Sequence, residues 1–339
     1  MPHPIAGTVD VAVQRLRAVL DPLVPQGSRV ALLDFPMYSN VGDSAIWAGE
    51  LSYLRDREAR VVYRSTWHTH HGPTLRRLLG PDGIVLLTGG GNFGDLYARH
   101  QRLRRRVFEE LGDRRIVQLP QTVNFSSDRA LDEFAAAHGH LDGLVVLVRD
   151  EQSRDLLTGV LARDPVLAPD MAFALGPLER GAASQDVLAL LRTDHETAGH
   201  RDDAHVRGLQ PLDWLDERRD GGGPWDRVVD TLGRGQRLMP GASARAGGVV
   251  LGRALDQRAL REVRRGTALL SRGRVVVTDR LHAHLLATLL GIPQVVLADR
   301  HDKVRRASAL WVGEHRWIRH AATVEQAAVE AEALLSGSG

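Results

Sequence analysis

Two places in the chain set an arginine where a run of β-formers gives way to a helix. One reads Asp279-Arg280-Leu281-His282 after Val275-Val276-Val277-Thr278, and the other reads Arg149-Asp150-Glu151-Gln152-Ser153 after the apolar run 143–148. The first turn of a helix leaves backbone N–H groups without partners, which favours an anion, and a guanidinium adds a planar fork matched to phosphate or carboxylate. Arginines at two such junctions can hold the two ends of one small dianion or trianion. His282 adds a side chain that titrates near neutral pH and can move a proton. The plainer readings are an Arg149 tied to Asp150 or Asp170 and a His282 that only packs.

Two further stretches place polar groups on loops that follow strands. In Ser39-Asn40-Val41-Gly42-Asp43-Ser44, Gly42 permits close backbone approach, while Asn40 and Asp43 either bind a ligand or close the turn as a helix cap. Gly89, Gly91 and Gly94 follow the strand at 84–88 in a G-x-G-x-x-G spacing, with Gly90, Asn92 and Asp95 between and beside them. The next strand carries no acidic residue suited to a ribose, so this loop reads as a close approach to a small anion or a sugar. His68, His70 and His71 lack further ligands at a suitable spacing and read as a solvated loop, so no metal is expected. Arg102, Arg105 and Arg106 share a helical face, which reads as solvated with Glu109 and Glu110 as counter-charges, or as a peripheral contact with an anionic membrane.

These residues need elements to hold them. Strands are expected at 29–33, 60–63, 84–88, 116–119, 143–148, 166–170, 187–191, 275–278 and 294–297. Helices are expected at 9–20, from about 44, at 255–270, from an Asp279 cap to Leu290, and at 324–335, with a polar surface loop over 197–224. Gly291 and Pro293 stop the helix that begins near Arg280. Strand–helix alternation in two halves predicts an α/β protein of two Rossmann-like parallel-sheet domains facing a cleft. The halves run over 1–180 and 185–322, with a C-terminal helix and tail at 323–339.

Composition sets the frame. The chain has 339 residues and 43% hydrophobic content, enough for two cores. Its net charge of +2 argues against nucleic acid as a main partner. Cysteine is absent, which excludes disulfides, thiolate metal sites and a thiol nucleophile. The opening residues lack a signal-peptide pattern and no stretch approaches the roughly 20 apolar residues that span a bilayer, so a cytoplasmic protein is expected.

Taken together, SNVGDSAIW at 39–47, LLTGGGNFGDLY at 86–97, QLPQTV at 118–123, VRDEQS at 148–153, APDMAF at 168–173, LLRTDHE at 190–196 and TDRLHAHLLATLLGIPQVVL at 278–297 resemble the polysaccharide pyruvyl transferases. The motifs keep the family's order from about residue 30 to 305. The resemblance implies a GT-B-like fold and transfer of pyruvate from phosphoenolpyruvate to two hydroxyls of a sugar in an exopolysaccharide or cell-wall glycan precursor, the acceptor being a sugar or a lipid-linked oligosaccharide. It implies no cofactor, with phosphoenolpyruvate as co-substrate. It matches the family's donor-site arginines to Arg149 and Arg280 and its catalytic histidine to His282; Leu281 and the retained Lys303 are expected on the donor side as well, with Asp43 as a second catalytic candidate. Asp43 or Asp95 would face the positive charge of an oxocarbenium-like intermediate. After the last strand the chain reads ADRHDKV where relatives read Asp-Asn-x-Tyr-Gly-Lys; Lys303 is kept. The alternatives are a glycosyltransferase using a nucleotide sugar and a non-catalytic sugar- or nucleotide-binding protein on the same scaffold.

Overall fold

The computed structural model describes residues 3–38, 40–193, 200–206, 209–214, 227–229, 231–232, 242–299 and 303–337. Apolar runs such as VALL, IVLL, VVVT and QVVL form strands buried on both faces, the pattern demanded when helices cover both sides of a parallel sheet. The first sheet comprises β1 (Arg29–Leu33), β2 (Arg60–Ser65), β3 (Ile84–Leu87), β4 (Gly90–Phe93), β5 (Ile116–Val123), β6 (Leu144–Val148) and β7 (Val166–Leu167). Its order is β2-β1-β3-β5-β6-β7, with β4 paired to β5. The second sheet comprises β8 (Gln185–Leu190), β9 (Gly273–Thr278), β10 (Gln294–Leu297) and β11 (Ile318–Ala321), in the order β11-β10-β9-β8. All strand pairs are parallel.

Register decides where the polar residues emerge. Leu190 pairs with Thr278, and Thr278 with Val296, so Arg192, Arg280 and Asp299 leave the second sheet at one end. Leu33 pairs with Leu87, Leu87 with Gln118, and Gln121 with Val148, which brings Asp34, Thr88, Thr122 and Arg149 to one end of the first. These are the carboxyl ends of parallel strands, where such sheets bind ligands.

Three helices tie the two sheets together. Helix Ala6–Leu20 places Val9 and Ala12 in the apolar cluster of the second sheet, and Leu16 and Leu20 in that of the first. Helix Ala242–Ser271 does the same over a longer span, with Leu251, Leu255 and Ala259 against the first sheet and Val263, Leu269 and Leu270 in the other cluster. Helix Val41–Asp56 lies between, contributing Val41, Ala45 and Ala48 to one cluster and Ile46 and Trp47 to the other. The Trp47 indole donates to Asp256 Oδ1 (3.1 Å), which also pairs with Arg64 (3.0 Å).

Several local expectations are corrected. Helix Leu281–Leu289 is not capped by Asp279: Arg280 occupies the N-cap position, and the buried Asp279 accepts from the Arg192 amide (2.9 Å) instead. Helix Val41–Asp56 starts three residues earlier than expected, at an Asn40 cap whose Oδ1 accepts from Gly42 N (2.9 Å). The glycine-rich loop contains strand β4, and β7 stops at Leu167, leaving Asp170 to cap a 3-10 turn at Met171–Leu175. Strand β11 and helix Lys303–Trp311 arise from a segment without clear periodicity. The histidines near 70 are not a solvated loop: His70 is buried against Glu110 (3.1 Å) and His71 caps helix Gly72–Leu79. Within the arginine run, Arg104 turns inward and is fully buried, while Arg106 pairs with Glu110 (3.1 Å). Of the 197–224 stretch read as a loop, residues 200–206 are helical and Leu212 bridges to Leu190; most of the remainder lies outside the described residues. Among the described residues no helix is long and apolar enough to cross a membrane.

Candidate active site

A cavity of about 250 Å³ opens between the carboxyl ends of the two sheets, with Arg149, Arg192, Arg280, Leu281 and His282 on it. Arg149 follows β6. Its Nε donates to Thr122 Oγ1 (3.0 Å), its NH1 to Asp170 Oδ2 (2.5 Å), and its backbone carbonyl accepts from the Trp311 indole (2.8 Å). Asp150 does not hold it: that carboxylate caps helix Glu151–Leu157 through the Ser153 amide (2.8 Å) and accepts from Thr122 Oγ1 (2.7 Å). Arg280 follows β9. Its guanidinium bonds to the buried Asp213, which also accepts from the Thr193 amide and hydroxyl (both 2.9 Å), and it stands 5.6 Å from the Trp214 ring centre. Each arginine is thus aimed by a buried carboxylate.

His282 sits in the first turn of helix Leu281–Leu289, and its ring packs on helix Val41–Asp56 of the other half. A Cβ at Gly42 would stand 2.4 Å from His282 Nδ1, so only glycine allows this approach. His282 Nε2 makes no aligned hydrogen bond and lies 3.4 Å from Asp170 Oδ2. Burial alone would raise the Asp170 carboxyl. The nearby His282 ring, the Arg149 guanidinium and the Ala172 amide more than offset it, holding Asp170 well below the usual carboxylate range. Asp170 therefore stays charged and would offset the positive charge formed when the imidazole takes up a proton. His284, two residues on, is fully buried on another side of the helix and bonded to Gln294 Oε1 (3.0 Å); burial pushes it down to about 4.

The facing wall carries Tyr38, Asn40, Asp43, Gly91, Asn92 and Tyr97. Asp43 lies in the first turn of its helix and accepts from Asn40 Nδ2 (2.8 Å). Gly91 passes close under Arg149: a Cβ there would meet NH2 at 3.2 Å. Gly90 lies behind the wall, where a Cβ would approach Asp43 Oδ1 to 3.6 Å. Asn92 belongs to a buried network: its side-chain oxygen accepts from Arg104 and from Gln121 (3.1 Å), and its carbonyl from Arg104 NH1 (2.8 Å). Asp95 is not on the cavity. Its carboxylate accepts from the amide (2.7 Å) and hydroxyl of Ser126 and so closes the loop. Lys303 opens helix Lys303–Trp311; its side chain lies outside the described residues, while Val304 beside it reaches the cavity.

Sequence reasoning missed Asp213, Trp214, Tyr38, Tyr97 and Trp311, and weighed Asp170 only as a pairing partner. It also missed Asp34, a buried residue at φ 73° directly after β1, whose carboxylate accepts from His100 Nδ1 (2.8 Å) and lies 3.7 Å from Arg104. A lone aspartate ending an apolar strand was the available signal. Among the described residues no group of three or more His, Asp or Glu side chains is placed to hold a metal ion.

Comparison with known proteins gives a consistent result. The chain is 30% identical to Pyruvyl transferase 1 of Schizosaccharomyces pombe over 289 residues, 79% of this chain but 66% of that protein. It is 29% identical to EpsO of Bacillus subtilis over 322 residues, 92% of this chain and 95% of EpsO. A crystal structure of an uncharacterised Klebsiella pneumoniae protein shares the fold, with a TM-score of 0.62 at 16% identity over 92% of this chain and 99% of that one. The sequence profile named polysaccharide pyruvyl transferase matches residues 40–301, which include Arg149, Arg280 and His282. The chain belongs to the polysaccharide pyruvyl transferase family.

Proposed function

We propose that this protein transfers pyruvate from phosphoenolpyruvate to two hydroxyls of a sugar acceptor, forming a cyclic ketal and releasing phosphate. The observation that carries the reading is the convergence of Arg149 and Arg280, from different sheets, on one cavity with His282 between the halves. Phosphoenolpyruvate carries a carboxylate and a phosphate, and two guanidinium groups on separate elements suit its two ends.

One sugar hydroxyl adds to C2 of the enol while C3 gains a proton. Phosphate then leaves with the electrons of its C–O bond, and the second hydroxyl closes on C2. Of the two hydroxyl protons, one is matched by the proton gained at C3 and the other leaves on hydrogen phosphate. His282 is the proton-transfer group, with Asp170 steadying its ring. Asp43, across the cavity, opposes the positive charge that develops at C2.

The rival reading is a transferase using a nucleotide sugar, whose diphosphate sits between a base and a sugar; Arg149 and Arg280, each aimed by its own carboxylate, better match a small donor with a charged group at each end. Thermal shifts with phosphoenolpyruvate and with nucleotide sugars separate the two. For the mechanism, His282→Asn should keep donor affinity in calorimetry and lower the rate of phosphate release by roughly 10²–10⁴-fold. A well-folded His282→Asn with near-parental turnover would remove the histidine from the chemistry.

A further inference from the structure

The cavity is divided by charge. Arg149, Arg192, Arg280 and His282 line one part of it together with Asp299, and among the described residues the stretches from Tyr38 to Asp43 and from Gly91 to Tyr97 bring a single charged group, Asp43, to the rest. The chain has four tyrosines, and two of them, Tyr38 and Tyr97, stand there, 39% and 42% exposed. Aromatic rings at the mouth of a polar cavity can stack on a flat, partly apolar ligand. Asp43, which accepts from Asn40 (2.8 Å), lies near the Tyr38 phenol: burial first, and then that carboxylate, hold the hydroxyl neutral well above its usual range.

We propose that Tyr38 and Tyr97 form the platform of the acceptor subsite and select a neutral pyranose ring over an acidic one. The inference rests on the pyruvyl-transfer reading and assigns the half of the cavity that the donor does not use. One face of a pyranose is lined by C–H groups and stacks on the electron-rich face of an aromatic ring. Its hydroxyls then point sideways, towards Asp43 as acceptor and towards the donor arginines. With the donor's carboxylate and phosphate already on the arginines, a sugar carboxylate would meet those charges and Asp43 as like charges in a confined space, which disfavours uronic acids in the donor complex.

The test uses the full-length protein and methyl hexopyranosides with and without a carboxylate at C6. Saturation-transfer NMR in the presence of saturating phosphoenolpyruvate reads sugar binding whether or not turnover follows, and calorimetry reads phosphoenolpyruvate binding. Neutral glycosides should give signals, and their uronic counterparts weaker ones. Tyr97→Ala and Tyr38→Ala should each weaken sugar binding by about tenfold while leaving donor affinity nearly unchanged, and Tyr97→Phe should recover most of the loss. Sugar binding unaffected in both alanine variants, no glycoside binding by the parent, or equal binding of the uronosides would overturn the proposal. Where the parent binds phosphoenolpyruvate and any of these three sugar results appears, only the subsite falls; a parent that ignores phosphoenolpyruvate defeats the pyruvyl-transfer reading as well.

Discussion

At the residue scale, the side chains that were legible and those that were not differ in the range of their partners. Arg280 and His282 stand out because a strand-to-helix junction aims its first residues at the ligand end of a parallel sheet, and that rule is local. Asp213, which aims Arg280, lies 67 residues away in a segment with no pattern of its own, and only the folded chain brings them together. Glu50 was hidden for the same reason. It is fully buried under the glycine-rich turn, accepting from Thr88 Oγ1 (2.8 Å) and from Gly89 N (2.8 Å). Burial, opposed in part by those hydrogen bonds, pushes its carboxyl from 4.5 up to about 8. In the unfolded chain the carboxyl loses its proton near 4.5, so folding stability falls as pH rises from there through 8. Glu50→Gln keeps both hydrogen bonds without the titration. Its stability should therefore improve on the parent's by about 1.4 kcal/mol per pH unit across that window, levelling off above it. Chemical denaturation of both proteins at a series of pH values measures this; parallel profiles would show that Glu50 titrates normally.

At the scale of elements, most strands could be read directly because buried parallel strands are continuous apolar runs, and β1 and β10 fall where their runs fall. β4 could not be read this way. Its sequence, Gly-Gly-Asn-Phe, lacks β-branched residues, and it is held by pairing with β5 and by Arg104 on Asn92 rather than by its own propensity. Helix Val41–Asp56 shows how closely one element can set the position of a side chain on another. Ala is the better helix former by about 1 kcal/mol, so Gly42→Ala should not harm the helix itself. Its Cβ would nevertheless fall 2.4 Å from His282 Nδ1, and the ring must move. The expected result is a melting temperature close to the parent's, phosphoenolpyruvate affinity largely kept, and turnover lowered roughly 10²-fold, the usual effect of misplacing a reacting group by about 1 Å. Unchanged turnover in Gly42→Ala would mean that the contact does not position the histidine.

Across the whole molecule, two sheets were expected and two are present, but their degree of joining was not legible. Amphipathic periodicity shows that a helix buries a face; it does not show that helices Ala6–Leu20 and Ala242–Ser271 each bury one end against either sheet. With one apolar cluster holding residues of helices Ala6–Leu20 and Val41–Asp56 together with Leu188, Val276 and Val296 of the second sheet, the halves should unfold as one unit. Calorimetry should give a single transition with equal calorimetric and van't Hoff enthalpies; two resolved transitions would show that each half is stable alone. Trp214 belongs to the same cluster, and its ring faces the Arg280 guanidinium at 5.6 Å. Indole emission responds to charge in front of the ring, and an anion arriving on that arginine alters the field there. On the proposed donor site the protein would carry its own optical gauge of occupancy: a change in tryptophan fluorescence on adding phosphoenolpyruvate, lost in Trp214→Phe, would report binding at Arg280 without a label.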